Sequence, residues 1–213
     1  MMTLQISPHD MAAKLAARLC HDLIGPTGGL NQGLDLLQDS TAKDLHQDAM
    51  ALIKQSGRDL IAKLAFARVA FGSGDRNYAA AELQSLTNDL YRGQRAQPIW
   101  SVNEGALKGV AARTLLNLIQ IALTCLPYGG EAHVQTEQSP GEVRLRVTAI
   151  SQRVRPPAEI LSGLAGEPPG DGLPGLWVQA AFVHATVSAA GGHLRVRTSE
   201  GEVSFSADLP ATR

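Results

Sequence analysis

Residues 11–37 read MAAKLAARLCHDLIGPTGGLNQGLDLL, and their periodicity decides the architecture. Met11, Leu15, Leu19, Leu23, Leu30, Leu34 and Leu37 recur at intervals of three, four or seven. That pattern is one apolar stripe on a helix running from about Met11 to Leu37. Gln38-Asp39-Ser40-Thr41 is a short polar link, in which Ser40 or Thr41 is placed to cap the next helix. The second helix runs to about Phe71, with Leu45, Ala49, Leu52, Ile53, Leu60, Leu64, Ala67 and Phe71 along one side. So short a link makes the two helices antiparallel neighbours. Gly72-Ser73-Gly74-Asp75 ends the hairpin and divides the chain into residues 1–74 and 75–213. A lone hairpin with two apolar stripes cannot bury both. Pairing with a second copy hides them in a four-helix bundle, so a homodimer is expected.

The rest of the chain is mixed. The pattern predicts a helix over about Ala79–Arg92, a strand near Pro98–Val102 and a long helix from about Gly105 to Leu126, stopped by Pro127-Tyr128-Gly129-Gly130. Alternating strands follow near Ala132–Gln138 and Glu142–Ile150, joined by Ser139-Pro140-Gly141. Arg155–Pro174 is rich in proline and glycine and reads mostly as loop with room for one short helix. A helix over about Leu176–Ala190 ends at Gly191-Gly192, and strands close the chain at His193–Thr198 and Glu202–Leu209. The fold class is α+β, a helical hairpin followed by a sheet with helices on one face.

Composition narrows the function. The formal net charge of −1 over 213 residues leaves no electrostatic footprint for nucleic acid. The start lacks a basic segment followed by an apolar core, so no signal peptide is expected. The apolar stretch Leu176–Ala190 contains Gln179, His184, Thr186 and Ser188. It is also shorter than the roughly 20 residues of a membrane span, so it reads as a buried helix and no membrane association is expected. Cys20 and Cys125 form no paired motif, which fits free thiols in a reducing cytoplasm. His9, His46, His133, His184 and His193 have no metal-ligand spacing, and no Walker-type loop is present. No metal or cofactor is expected in this chain.

His21 is the candidate reactive group. At about 100° per residue it points nearly opposite to the leucine stripe of its helix, so it should be exposed. A free imidazole titrates near neutrality, is substantially neutral and nucleophilic at cytosolic pH, and can accept a phosphoryl group. Asp22 is placed to engage one ring nitrogen and leave the other to attack; the bland alternative is a helix-surface carboxylate. Lys14, Arg18, Gly25, Gly28 and Gln32 project within about a quarter-turn of His21. Lys14 and Arg18 could neutralise phosphate oxygens. The two glycines read either as close approach by a partner or, with Pro26 and Gly29, as a kink in the helix.

His21-Asp22-Leu23-Ile24-Gly25-Pro26 resembles the phosphoacceptor motif of sensor histidine kinases, H-[DE]-L-x-x-P. In those kinases the dimerising hairpin precedes a GHKL (Bergerat-type) ATP-binding α/β sandwich, in the order seen here. Leu115-Leu116-Asn117-Leu118-Ile119-Gln120-Ile121-Ala122 resembles the kinase N-box helix. Gly175-Leu176-Trp177-Val178 through Gly191-Gly192-His193-Leu194 resembles the last Gly-rich box with its helix and strand, and residues 201–210 resemble the final strand. The departures matter more. Ile121 stands where a second Mg²⁺-binding asparagine is usual, and an alkyl chain cannot coordinate a cation. No D-x-G-x-G follows Ile150, Asp171-Gly172 is a poor substitute for it, and Pro174 interrupts the segment that would cradle phosphates. The stretch from Arg153 to Gly172 is also short for an ATP lid.

This combination is similar to the alphaproteobacterial ChpT-like histidine phosphotransferases, whose kinase-type domain is degenerate. Arg18-Leu19-Cys20-His21-Asp22-Leu23 and Asn31-x-Gly33-Leu34-x-Leu36-Leu37 fit that family. The resemblance implies a cytoplasmic homodimer with phosphorylation on His21, Asp22 as its helper, and no use of ATP. It implies as partners the receiver domain of a hybrid kinase (CckA-like) and response regulators (CtrA-like, CpdR-like). Mg²⁺ would be held by the receiver, and the C-terminal domain would supply docking surface. The competing readings are an ATP-dependent kinase core and a non-catalytic dimeric adaptor.

Overall fold

A computed structural model of the chain describes residues 6–102, 105–170 and 174–211. Asp171-Gly172, the weak candidate for an adenine-reading pair, lies outside the described residues.

The hairpin consists of α1 (Pro8–Gln38) and α2 (His46–Ala70). The first helix starts earlier than its apolar stripe, because Ser7 accepts the Asp10 N–H at 3.0 Å and Pro8 occupies the first turn. Neither Ser40 nor Thr41 caps α2. Instead, Asp39 accepts from the Thr41 N–H and hydroxyl at 2.8 and 2.6 Å, and a 3-10 turn at Lys43–Leu45 leads into the helix. The helices pack closely where α1 has no side chains. A Cβ on Gly29 would lie 2.4 Å from Ser56 Oγ, and one on Gly33 would lie 2.6 Å from Ile53 Cγ1 and 3.0 Å from the Ala49 carbonyl.

The second unit is a five-stranded sheet with a small satellite. Its strands are β2 (Ala96–Val102), β4 (Gly130–Ser139), β5 (Glu142–Ile150), β6 (His193–Ser199) and β7 (Glu202–Pro210), in the order β2-β4-β5-β7-β6. Among the described residues, only the β2–β4 pair is parallel; α4 (Gly109–Thr124) makes the crossover between them. The long helix does not begin at Gly105. Ala106–Leu107 form β3, which pairs antiparallel with β1 (Tyr78–Ala79), and α4 starts only after Lys108. The remaining helices are α3 (Ala80–Leu90), α5 (Ala158–Ala165) and α6 (Pro174–Ala189). The short α5 lies inside the stretch expected to be mostly loop, and Gly166, in the left-handed region at φ +74°, terminates it.

The core lies between α4 and the inner sheet face. Leu115, Leu116, Leu118, Ile119 and Ile121 of α4 are all fully buried, against Val134, Leu145, Val147 and Phe205. Each such side chain stabilises the fold by about 2 kcal/mol through removal of apolar surface from water. A helix flanked by a sheet on one side and by α2 and α6 on the other must be apolar nearly all round, and α4 is. A separate cluster of Trp177, Val178 and Ala181 from α6 with Ile6, Met11 and Leu15 seats the second unit against α1. Among the described residues, no helix covers the opposite sheet face. There Asp208 accepts from Arg144 Nε at 2.7 Å and Arg195 Nη1 at 2.5 Å.

Candidate functional site

The site is built on α1. His21 projects from its middle with 86% of its side chain exposed, and Nδ1 lies 3.6 Å from Asp22 Oδ1. That separation is too long for a hydrogen bond and leaves the carboxylate beside the ring on its Nδ1 side. Nε2 is left to the solvent side. Asp22 in turn has Arg18 Nε at 3.9 Å.

The residues grouped with His21 by helix geometry separate into two kinds. Lys14, Gly25, Gly28 and Gln32 are exposed on α1. Chain neighbours and the helix's own backbone apart, a Cβ on Gly25 or Gly28 would meet nothing within 4 Å among the described residues, so neither glycine makes room for another element of the single chain. Arg18 is not free: 11% of its side chain is exposed, Nη1 donates to the Gly175 carbonyl at the start of α6, and Nε has no hydrogen-bond acceptor among the described residues. Burial lowers its pKa, against the raising effect of Asp22 and Tyr91. Arg18 therefore fastens α6 to α1 one turn before His21.

Sequence reasoning did not find Lys63. Its ammonium donates to the Asp22 carbonyl at 2.7 Å from the facing helix. Pro26 lies four residues beyond Asp22 and has no N–H, so the Asp22 carbonyl has lost its partner within the helix. The signal was present in the position of Pro26, but which residue of α2 would answer it depended on the pairing register. Arg18, Asp22, Lys63 and Tyr91 line a cavity of about 410 Å³ between the hairpin and α3, floored by Phe66 and Phe71. Burial pushes the Tyr91 hydroxyl pKa up, so it is a neutral group there.

The helices that resemble the kinase boxes are joined by a buried amide network. Asn117 of α4 is fully buried. Its Nδ2 donates to the Ala70 carbonyl at 2.7 Å and the Arg113 carbonyl at 2.9 Å, and its Oδ1 accepts from Gln179 Nε2 at 3.0 Å. Gln179 Nε2 also reaches Gln120 Oε1 at 2.6 Å. Asn117 thus clips the end of α2 to α4 and α6, with every polar atom engaged. Ile121 is in the core. The short α5 packs on α6, with Gly163 against Trp177 and Ala180, and Trp177 Nε1 donates to the Glu167 carbonyl at 3.0 Å. Among the described residues, no group of three or more His, Cys, Asp or Glu side chains is placed to hold a metal ion, and no helix is long and apolar enough to cross a membrane.

Comparison with known proteins agrees with this arrangement. Residues 80–202 match the histidine phosphotransferase C-terminal domain. The protein phosphotransferase ChpT of Brucella abortus is 31% identical over 206 residues, spanning 95% of this chain and 97% of the relative. The structure of a bacterial phosphotransferase superposes with a TM-score of 0.85 at 29% identity, covering 97% of this chain and all of the other. The catalytic domain of the histidine kinase ThkA covers 64% of this chain at 17% identity, with a TM-score of 0.51, and shares the fold of the second unit. With its C-terminal unit matched to the family's own domain and 95% of its length aligned with a phosphotransferase, the chain belongs to the histidine phosphotransferase family.

Proposed function

We propose that the chain relays phosphoryl groups between receiver domains through His21, without ATP. The observation that carries the reading is one imidazole, 86% exposed, with a carboxylate on its Nδ1 side and Nε2 open to a partner. In the forward step, the Nε2 lone pair attacks the phosphorus of a receiver's aspartyl phosphate. The P–Nε2 bond forms, the P–O bond breaks, and the receiver's carboxylate leaves. The ring is then a phosphoimidazolium with its proton on Nδ1, and the Asp22 carboxylate stabilises that charge. In the return step a second receiver's aspartate attacks the same phosphorus and Nε2 leaves with its electron pair. Positioning and charge neutralisation supply most of the catalysis. Mg²⁺ belongs to the receiver.

The donor in this reading is the receiver of a CckA-like hybrid kinase, and the acceptors are CtrA-like and CpdR-like regulators, all in the cytoplasm. The ATP-free part of the reading is supported by Asn117, whose amide is spent on Ala70, Arg113 and Gln179 rather than left for a cation. The homodimer is supported by Ile24, Leu34, Met50, Ile61 and Leu64, large apolar side chains exposed along α1 and α2; Ile61 is 70% exposed. The open sheet face, with Arg144, Arg146, Arg195 and Arg197 around Ser204 and Ser206, offers an acidic partner a docking surface.

The test is a labelled relay with a phosphorylated CckA receiver domain and a CtrA receiver. His21→Ala should carry no label and pass none on while remaining dimeric. Label reaching the acceptor through the alanine variant would refute the reading. The wild-type chain mixed with ATP and Mg²⁺ alone should gain no label; autophosphorylation would place it with the kinases.

A further inference from the structure

We propose that Lys63 is a positioning residue for transfer through His21, a role that rests on the phosphoacceptor reading above. Each carbonyl within a helix accepts the N–H four residues later. Pro26 removes that donor for Asp22. Gly25 lets the helix pass this point unbroken, since it has no Cβ to clash with the proline ring. The result is an α1 that is continuous in shape but lacks one rung, and the missing rung is at the residue beside the reactive histidine.

Lys63 restores that rung from the outside. Its ammonium donates to the Asp22 carbonyl at 2.7 Å, with Lys63 half-buried between the helices. A charged donor on a desolvated carbonyl is stronger than the amide it replaces. It also differs in kind, because it ties the backbone of α1 to α2 rather than to the next turn of α1. The Asp22 carboxylate, whose distance to His21 Nδ1 is 3.6 Å, is carried on that same backbone. Lys63 therefore sets where the carboxylate stands relative to the imidazole. It also fixes the direction of Nε2 relative to the hairpin against which a receiver docks. Without it the segment around Asp22 keeps a helical path but loses its fixed reference to α2.

The pairing is specific enough to be reversed by chemistry. Pro26→Ala returns an N–H to the Asp22 carbonyl and makes the ammonium redundant. The experiment measures transfer from a phosphorylated CckA receiver domain to four full-length chains: wild type, Lys63→Met, Pro26→Ala, and the double variant. The maximal rate and the half-saturating receiver concentration are read separately. Lys63→Met should lower the maximal rate about tenfold, as expected for a loosened reacting group, and leave the half-saturating concentration unchanged. In the Pro26→Ala background, whatever rate that background has, the same substitution should cost less than about twofold. Lys63→Arg, which keeps a cationic donor, should retain most of the rate. Equal losses in both backgrounds would overturn the proposal, placing Lys63 on the phosphoryl group or the receiver. So would a loss confined to half-saturation, or no loss beside Pro26. Failure of the phosphoacceptor reading is separately visible, as label carried by His21→Ala.

Discussion

Asn117→Ala separates a structural amide from a cation ligand. The substitution removes hydrogen bonds of 2.7 Å to the Ala70 carbonyl, 2.9 Å to the Arg113 carbonyl and 3.0 Å from Gln179 Nε2, all at a fully buried residue. Their costs differ. Ala70 closes α2, where carbonyls have no partner further along the helix, so its oxygen is orphaned at about 1–3 kcal/mol. Gln179 keeps Gln120, so its lost bond to Asn117 costs only about 1 kcal/mol. The expected sum is about 3 kcal/mol, a fall in Tm of about 6–12 °C for a protein of this size. Thermal and urea unfolding by circular dichroism at pH 7 read it. Asn117→Asp, which faces two carbonyls with a carboxylate, should cost at least as much, and the Asn117→Ala/Gln179→Ala pair should be coupled by about 1 kcal/mol. Relay well below the transition should persist, because Asn117 touches neither His21 nor Asp22. A loss below about 1 kcal/mol, or a wild-type Tm raised by Mg²⁺ and ATP, would refute the reasoning.

Three further outcomes are expected. Burial alone would raise the Asp208 carboxyl pKa, but the hydrogen bonds and charges of Arg144 and Arg195 outweigh it and hold it below the usual value. Its contribution is therefore full above the unfolded-state pKa of about 4 and is lost as pH falls through the lower folded value. Asp208→Asn should cost about 1–2 kcal/mol at pH 7, discounted for the exposure of both arginines, and the gap from wild type in urea unfolding should close as pH drops below about 4. Ile61→Glu replaces a side chain 70% exposed in the single chain, so it should leave monomer stability within about 0.5 kcal/mol; light scattering should show it as a monomer. Gly33→Ala and Gly28→Ala should have opposite signs. The first drives a methyl into Ile53 and the Ala49 carbonyl and costs about 1–3 kcal/mol, while the second, in open space within a helix, gains about 0.5–1 kcal/mol.

The helical hairpin was legible because its leucines keep one period over many turns, and the exposure of His21 followed from its angular offset alone. The strands after Gly130 were legible because polar and apolar residues alternate on a sheet with one open face. Other features were not. The two-residue pairing of β1 with β3 has too few residues to carry a period, so Ala106–Leu107 merged into the helix that follows. Glycines 25, 28, 29 and 33 look alike in sequence; only the α2 register shows that Gly29 and Gly33 face Ser56 and Ile53. Arg18 was correctly located on its helix, but a long side chain chooses its partner in three dimensions, and its Nη1 turns to Gly175. Lys63 was hidden for a related reason: proline advertises a missing donor, and tertiary structure supplies the substitute.

The borders of the five-stranded sheet have a bearing on how this protein keeps company. Among the described residues, β2 and β6 are the outermost strands of the sheet, each with one edge that no other strand pairs, the usual template for adding a foreign strand. Pro98 deletes one donor from β2, and β6 alternates with Arg195 and Arg197, whose like charges oppose stacking against an identical neighbour. Visitors are thereby steered away from irreversible zippering and towards side-chain contacts that can be released, as the relay proposed above requires when one protein gives way to the next.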